Sequence, residues 1–171
     1  MMLNMRLAKQ SDLETIINIE KICFPKAEAA SPKELKERFE VFGDCFLVAE
    51  KENQIVGFIN GCKTDQPLLP DELYHETSLH CPQGKYQTVF GLDVLPQYQH
   101  QGIAQALMKA FIDNAKKQGC LGMVLTCKNH LIGFYEQFGY IHQGVSASNH
   151  GGAQWNDMLL MFKEHEEDLN V

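Results

Sequence analysis

Residues 92–104, LDVLPQYQHQGIA, contain the clearest structural signal in the chain. The run over 86–94 is typical of a strand, and Pro96 ends it because proline cannot donate to a strand ladder. Apolar residues then recur at helical spacing over 102–118, and Gly119 is a common type of residue at the end of a helix. The sequence here predicts a strand, a turn and a helix in succession.

The start of that helix has the pattern Gln-x-x-Gly-x-Ala, formed by Gln99, Gly102 and Ala104. Small residues let the backbone approach a ligand closely, and the N–H groups of a helix start have no partner within the helix. Together with the positive end of the helix dipole, these groups suit an anion such as a pyrophosphate. An ordinary helix start with a glycine in the turn explains the same residues equally well.

Helices and strands alternate on both sides of this segment. Two Ser-x-x-Glu capping boxes, at 11–14 and 31–34, predict helices over 11–23 and 31–43. Strands are predicted over 45–50, 54–63, 122–127, 140–145 and 154–162, and a short helix over 131–138. This order of elements predicts a mixed α/β fold around one sheet.

Residues 64–84 interrupt the alternation, with three prolines, several acidic residues and no sustained period. Because such long loops usually carry function, we expect this one on the substrate side, with one turn of helix near 71–76. The acidic end, 164–171, is expected to be a solvated tail. The length of 171 residues predicts that 1–171 form a single domain.

Composition and net charge argue against several classes of partner. The net charge of -7 argues against nucleic acid as a partner, because binding to phosphate backbones requires a basic surface, but it is compatible with a cationic substrate. The sequence has neither a long apolar stretch nor a secretory leader, so no membrane partner is predicted. Six cysteines without a Cys-x-x-Cys pair are typical of reduced thiols, which predicts a cytoplasmic protein.

Motifs of several other enzyme classes are missing from the sequence. It contains no G-x-x-x-x-G-K-[ST], no H-E-x-x-H, no G-x-S-x-G and no dinucleotide-binding glycine pattern. His75, His80 and Cys81 come nearest to a metal site, but their spacing matches no standard zinc site. We therefore predict no metal cofactor.

The pattern at residues 99–104 resembles the Arg/Gln-x-x-Gly-x-Gly/Ala signature of the GNAT superfamily of N-acetyltransferases. A second segment, NHLIGFYEQFG at 129–139, is similar to a later motif of that family, in which Asn precedes a helix with Phe-Tyr and then Phe-Gly. The order of elements fits the family over nearly the whole chain. Within it, the long loop and the segments VLTC and FYEQFGY look most like the arylalkylamine (serotonin-type) N-acetyltransferases.

This resemblance implies the GNAT fold, a mixed, largely antiparallel sheet flanked by helices, with acetyl-CoA as the co-substrate. The backbone of Leu92, Asp93 and Val94 would pair with the pantetheine arm as an added strand does. Asn129 would contact pantetheine as well. The pyrophosphate would be held by the turn and the first helical residues, which are Gln99, His100, Gln101, Gly102, Ile103, Ala104 and Gln105.

The resemblance also implies a general acid. Tyr135 would lie beside the thioester sulfur and protonate the departing thiolate, and a core aromatic on a short helix is the alternative interpretation. Thr88 and Phe90 stand where the amine acetyltransferases carry two histidines that help to deprotonate the substrate. The general base is therefore unknown: His80 and His142 are candidates, but nothing in the sequence brings either to the thioester.

We expect an enzyme that transfers acetyl from acetyl-CoA to a primary amine, a small arylalkylamine or another cationic amine. Phe24, Tyr74 and Phe90 are the predicted acceptor-site residues. The alternative acceptor is a protein lysine or N-terminus, which requires an open groove in place of a pocket. A noncatalytic acyl-CoA-binding sensor is the alternative from another class, and a homodimer is compatible with either.

Overall fold

The computed structural model describes residues 2–163, so the predicted acidic tail at 164–171 lies outside the described residues. The strands and helices, in chain order, are β1 (Leu3–Leu7), α1 (Leu13–Cys23), α2 (Pro32–Phe42), β2 (Phe46–Lys51), β3 (Gln54–Asn60), β4 (Lys63–Thr64), α3 (Glu72–His75), β5 (Tyr86–Val89), β6 (Gly91–Val94), α4 (Ile103–Lys117), β7 (Gly122–Cys127), α5 (Ile132–Glu136), β8 (Ile141–Val145) and β9 (Asn156–Met161). The predicted mixed α/β fold with largely antiparallel strands is confirmed.

The strands form two sheets, in the order β1-β2-β3-β6 and β4-β5-β7-β9-β8. All neighbours are antiparallel except β5 and β7, which are parallel. The predicted strand 86–94 belongs to both sheets, since its first half is β5 and its second half is β6. The single predicted sheet is thus divided in two within one strand.

A β-bulge causes this division. The Phe90 N–H donates to the Asn60 carbonyl at 2.7 Å, although Asn60 lies opposite Gly91 in the strand register. Two residues of one strand therefore oppose one residue of the other, which bends and twists the strand. Before the bulge the strand pairs with β7, and after it the strand pairs with β3, so that β6 and β7 separate. The resulting cleft positions the candidate active site.

One hydrophobic core joins the two sheets and the helices. Its largest fully buried side chains include Phe46, Phe58, Leu107 and Phe111. Burying one such side chain stabilises the fold by about 1.5–3 kcal/mol. This core holds α4 against β2, β3 and β6 and thereby fixes the start of α4 next to the edge of β6.

The two predicted capping boxes have different outcomes. At the start of α2, Ser31 and Glu34 bond reciprocally, with N···O distances of 3.0 and 3.1 Å, as predicted. At the start of α1 the prediction is wrong, because a 3-10 turn at Gln10–Asp12 precedes the helix. Asp12 there accepts from Arg6 and from the Lys9 N–H, both at 2.7 Å. A charge-assisted pair is stronger than a neutral cap and determines the local conformation.

The loop at 64–84 is packed against the body of the protein. It contains the predicted turn of helix, observed as α3, and its Leu69 and Leu73 are buried. The predicted strand 54–63 ends earlier, at Asn60, and a separate short strand, β4, pairs with β5. Between residues 2 and 163, none of the helices has the length and apolarity needed to cross a bilayer.

Candidate active site

A cleft with a volume of about 570 Å³ lies between the edge of β6, the start of α4 and the segment that leads into α5. Its volume is typical of small-molecule sites. The residues that line it are Cys23, Phe24, Leu92, Val94, Tyr98, Gln99, His100, Gly102, Ile103, Ala104, Gln105, His130, Leu131, Phe134 and Tyr135.

The edge of β6 presents main-chain groups to this cleft. The Leu95 N–H donates to the Val56 carbonyl on the neighbouring strand at 2.9 Å. Because backbone groups alternate in direction along a strand, those of Leu92 and Val94 point away from that neighbour and into the cleft. The Val94 carbonyl already accepts from the Gln99 amide at 3.1 Å, so this side chain braces the turn.

The start of α4 presents further main-chain donors. Gly102 has φ +83°, a conformation that L side chains rarely adopt, and a Cβ built there has no atom within 4 Å. The first helical bond runs from the Ala106 N–H to the Gly102 carbonyl at 3.1 Å. The N–H groups of the three residues between them therefore have no partner within the helix, which is the arrangement of an anion site.

Three of the predicted cofactor contacts do not line the cleft. The backbone of Asp93 faces β3, and its side chain is 1% exposed on the opposite face of the strand. The Gln101 side chain accepts from Lys51 at 2.7 Å, outside the cleft. Asn129 accepts from the Asn156 amide at 2.7 Å and holds two segments of chain together. The cleft therefore gives no support to these three predicted contacts, since position in the motif does not fix the direction of a side chain.

A second, smaller pocket of about 210 Å³ lies beyond the bulge. Phe24, Leu92, Leu131 and Tyr135 line both cavities, so the two meet at these residues. The predicted acceptor residues Phe24, Tyr74 and Phe90 all line this pocket. The other residues that line it are Glu20, Ala27, Glu28, Ala29, Ala30, Glu34, Arg38, His75, Val89, Gly91, Leu125, Thr126, Cys127, His150 and Trp155.

Tyr135 is the predicted acid, and the structure places it where the two cavities meet. Its side chain packs edge-on against Phe134 and Tyr140, with ring centroids 5.1 and 5.8 Å away. Burial raises the pKa of Tyr135, so its hydroxyl keeps the proton at neutral pH. The geometry is compatible both with a proton donor and with a packing aromatic.

The smaller pocket has a roof made of three segments that are distant in sequence. The Tyr74 ring stacks on His150, with ring centroids 5.4 Å apart and planes 7° apart. The His150 ring nitrogen bonds to the Glu28 carbonyl at 3.0 Å, and Trp155 donates to the His150 carbonyl at 2.8 Å. Tyr74 also packs on Phe90 at 4.8 Å. Sequence reasoning missed the contribution of 146–155 because the turn there carries no motif.

Charged residues on the wall of the smaller pocket were also missed. Arg38 is 4% exposed; it donates to the Tyr74 carbonyl at 2.9 Å and lies over the Phe90 ring, with its guanidinium carbon 4.6 Å from the centroid. Glu20 is 5% exposed and accepts from the Ala30 N–H at 2.8 Å. The sequence did hold one signal for Glu20, because it follows Ile16 by four residues and so continues the apolar face of α1.

The candidate bases named from the sequence lie away from both cavities. His80 accepts from the Lys63 N–H at 3.1 Å, and burial lowers its pKa. His142 bonds to the Asn156 amide oxygen at 3.0 Å. The Thr88 hydroxyl is buried and donates to the Cys62 carbonyl at 2.9 Å. Within residues 2–163, no group of three or more His, Cys, Asp or Glu side chains is placed to hold a metal ion.

Two curated relatives of this chain are N-acetyltransferases. Human (Homo sapiens) N-acetyltransferase 8B is 31% identical over 107 residues, which are 61% of this chain and 41% of that protein. Serotonin N-acetyltransferase of Mesocricetus auratus is 24% identical over 164 residues, which are 94% of this chain and 78% of that protein. The chain therefore matches less than half the length of the first relative and most of the second.

Solved structures show the same fold. A GNAT-like decarboxylase, GphF, in complex with isobutyryl-CoA superposes with a TM-score of 0.79 and 19% identity, covering 92% of this chain and 98% of that chain. Residues 13–140 match the acetyltransferase (GNAT) family, and this match covers most of the sequence. The chain thus belongs to the acetyltransferase (GNAT) family.

Proposed function

We propose that this chain transfers the acetyl group of acetyl-CoA to a small primary amine, with the larger cleft as the donor site and the smaller pocket as the acceptor site. The observation that carries the proposal is that the two cavities meet at Tyr135 and Leu92. A thioester in one cavity and an amine in the other would come together there, as direct transfer requires.

Main-chain groups would bind acetyl-CoA. The pantetheine amides would pair with the free edge of β6 at Leu92 and Val94, in the manner of an added strand. The pyrophosphate would lie at the start of α4, where the N–H groups of Ile103, Ala104 and Gln105 have no helical partner. The open space around Gly102 supports close approach of the phosphates.

The shape and charge of the smaller pocket favour a small cationic acceptor. Segments around Tyr74, Glu28 and His150 form a roof over it, whereas a protein lysine or N-terminus needs an open groove. Three glutamates and one arginine line it, together with Trp155 and the packed rings of Tyr74 and Phe90. Aromatic faces and carboxylates both attract an ammonium group. An arylalkylamine fits these walls, and the likeness to serotonin N-acetyltransferase supports that class.

In the proposed reaction, the amine nitrogen attacks the thioester carbonyl carbon after the ammonium has lost a proton. The oxyanion that forms would be stabilised by strand N–H groups. The C–S bond then breaks and the thiolate takes the proton of the Tyr135 hydroxyl. The nitrogen gives up its second proton, which restores the Tyr135 phenol. The products are the acetylated amine and free CoA.

Acetyl-CoA turnover with a panel of amines tests this function, with release of the free thiol as the readout. We expect turnover with 2-phenylethylamine and related arylalkylamines. Turnover with peptides alone would favour a protein acetyltransferase, and CoA binding in calorimetry without any turnover would favour the sensor. A cytoplasmic location and a homodimer stay predictions from the sequence.

A further inference from the structure

The proposed reaction requires a group that takes a proton from the substrate ammonium, and this inference rests on that proposed function. The two histidines considered as bases, His80 and His142, lie outside both cavities, and Thr88 is bonded to a carbonyl. The wall of the acceptor pocket does carry one buried carboxylate close to the bulge, that of Glu20.

Glu20 belongs to a buried polar cluster that we define as Glu20, Arg38, Asn60 and Asp93. Arg38 donates to the Asn60 amide oxygen at 3.3 Å, which ties α2 to β3. Asp93 lies on the same face of β6 as Gly91, two residues away. All four side chains are at most 5% exposed.

The cluster holds four of the six buried polar atoms that have no hydrogen-bond partner within residues 2–163. They are Arg38 Nε, Asn60 Nδ2 and both carboxyl oxygens of Asp93. Buried polar groups are nearly always paired in folded proteins, so this concentration of unpaired atoms requires an explanation such as a shared proton or a reacting group.

Polar atoms of Asp93, Glu20 and Asn60 lie around a space left open by a glycine. A Cβ at Gly91 would lie 3.0 Å from Asp93 Oδ1, 3.5 Å from Glu20 Oε1 and 3.6 Å from Asn60 Nδ2. Gly91 itself lines the acceptor pocket. A side chain at this position would therefore lie between the acceptor pocket and the two carboxyl groups, of which Glu20 lines the pocket.

Glu20 and Asp93 are also coupled to each other. Burial raises the pKa of Asp93 well above its ordinary value, and the neighbouring negative charge of Glu20 raises it further. The contact between the two carboxyl groups is a hydrogen bond when one of them carries a proton. A proton on Asp93 would be shared with Glu20 across this contact, and the Glu20 carboxyl group then has an oxygen left for a second proton.

We propose that Glu20 accepts the proton that the substrate ammonium loses, and that Asp93 is the positioning residue that holds Glu20 and shares this proton. The ammonium N–H bond breaks, its electron pair stays on nitrogen, and the proton forms an O–H bond on Glu20. The neutral amine then attacks the thioester. After the product leaves, the extra proton passes to solvent.

Other groups near the pair also affect its pH dependence. They are Cys23 on α1, Arg38 on α2 and Tyr135 on α5, and Arg38 in turn has Glu34, Cys62 and Tyr74 near it. Burial raises the pKa of the Cys23 thiol and of both phenols, so these three stay uncharged at neutral pH. Arg38 supplies a nearby positive charge, which favours the ionised form of the pair.

The test compares Glu20→Gln with the wild type on two acceptors of nearly the same shape. 2-Phenylethylamine is protonated at about pH 8, as lysine-like amines are. Its 2,2-difluoro analogue is largely uncharged there, because fluorine withdraws electrons from the nitrogen. We expect Glu20→Gln to lower kcat/KM at least about 100-fold for the first acceptor and less than about tenfold for the second.

Controls separate chemistry from folding. The glutamine side chain still offers an oxygen to the Ala30 N–H, and CoA affinity in calorimetry reports the folded state. Glu14→Gln removes the same charge from an exposed position on the same helix and should change neither rate. Asp93→Asn should move the acid limb of the kcat/KM profile to lower pH, because an amide donates permanently to Glu20 and cannot share a proton.

The outcomes are distinct. Equal losses on both acceptors in a folded Glu20→Gln variant would overturn the inference and leave the proposed function standing. If Glu20→Gln does not fold, an unchanged pH profile in Asp93→Asn would overturn it instead. A wild-type protein that acetylates no amine would overturn the proposed function and this inference with it.

Discussion

The two cavities are built in different ways. The donor cleft is made largely of main-chain groups from one continuous segment, 92–105, in which a strand edge leads to a helix start. The acceptor pocket is made of side chains from α1, α2, α3, the bulged strand and the turn before β9. A site of the first kind depends on backbone conformation and follows from local sequence, whereas one of the second kind depends on how distant segments pack.

Because the donor cleft is made largely of main-chain groups, the largest expected effect on CoA binding comes from a substitution that alters the backbone at Gly102. Gly102→Val should weaken CoA binding by roughly a hundredfold, because each hydrogen bond to a charged group contributes about 1.5–3 kcal/mol and the valine displaces two or more donors. Calorimetric titration with CoA measures the loss.

Gly119 provides a matched control for that change. It ends the same helix with φ +87°, and a Cβ there also has no atom within 4 Å. Gly119→Val should therefore cost similar backbone strain, about 1–3 kcal/mol, without affecting CoA affinity. The alanine variants of both glycines repeat the contrast with less strain. If the folded Gly102→Val and Gly119→Val variants bind CoA with equal affinity, the phosphates bind elsewhere.

Tyr135, which lies where the two cavities meet, gives the next largest expected effect, which is on kcat. Tyr135→Phe keeps the ring and removes the proton donor, so we expect kcat to fall at least about tenfold, with water as a poorer acid. CoA affinity and Tm should change little, and the loss of kcat should persist across the pH range in which the enzyme is stable, because burial keeps the Tyr135 phenol protonated there.

Tyr140→Phe is the control for Tyr135→Phe. Tyr140 is fully buried beside Tyr135, and its hydroxyl donates to the Met108 sulfur at 3.6 Å, away from both cavities. This change should leave kcat within about twofold of the wild type, on the scale of surface and packing effects. Identical kcat profiles for the two variants would make Tyr135 a packing aromatic.

The contrast also explains which parts of the molecule the sequence could predict. The strand, turn and helix at 86–118 follow from local rules, and so does the orientation of the donors at Gly102. The bulge at Phe90 does not, because it depends on the pairing of Asn60 with Gly91 across the sheet. Local reasoning therefore found one continuous strand where the structure has a strand shared by two sheets.

The acceptor pocket shows the same limit. Tyr74 and Phe90 were found because aromatic residues in a loop and at a family position are visible in the sequence. Arg38 and Trp155 were not found, since nothing local indicates that α2 and the turn before β9 meet beside α3. The wrong capping box at Ser11 has a similar cause, because Arg6, on another element, determines the conformation of Asp12.

A substitution of Trp155, which lines the acceptor pocket, should affect only the binding of the amine. Trp155→Ala removes an aromatic face that a cationic amine would contact, which is worth about 0.5–1.5 kcal/mol, so the amine KM should rise roughly two- to tenfold. CoA affinity should stay unchanged because Trp155 does not line the donor cleft. Steady-state kinetics with the amine varied measures this, and a parallel loss of CoA affinity would mean that the two cavities are not independent.

The smallest expected effect is on the free energy of unfolding. The sign of its change in Asp93→Asn shows whether Asp93 shares a proton or is ionised in an ion pair. The raised pKa of Asp93 means that the folded protein keeps a proton that the unfolded chain releases above about pH 4. The free energy of unfolding therefore falls as pH rises through that range. Asp93→Asn removes this cost, so near pH 7 the variant should be more stable by about 1 kcal/mol or more, or about 2–4 °C in Tm. The advantage should vanish toward pH 4.

Asp12→Asn should behave in the opposite way. The hydrogen bond from Arg6 lowers the pKa of Asp12, so its stabilising contribution is present above the unfolded pKa and is lost as pH falls through the folded one. This variant should be less stable than the wild type at pH 7 and converge with it in acid, as urea unfolding at several pH values would show. Should Asp93→Asn follow the same course as Asp12→Asn, Asp93 would be an ionised partner of Arg38. The acceptor wall would then carry a structural ion pair in place of a shared proton.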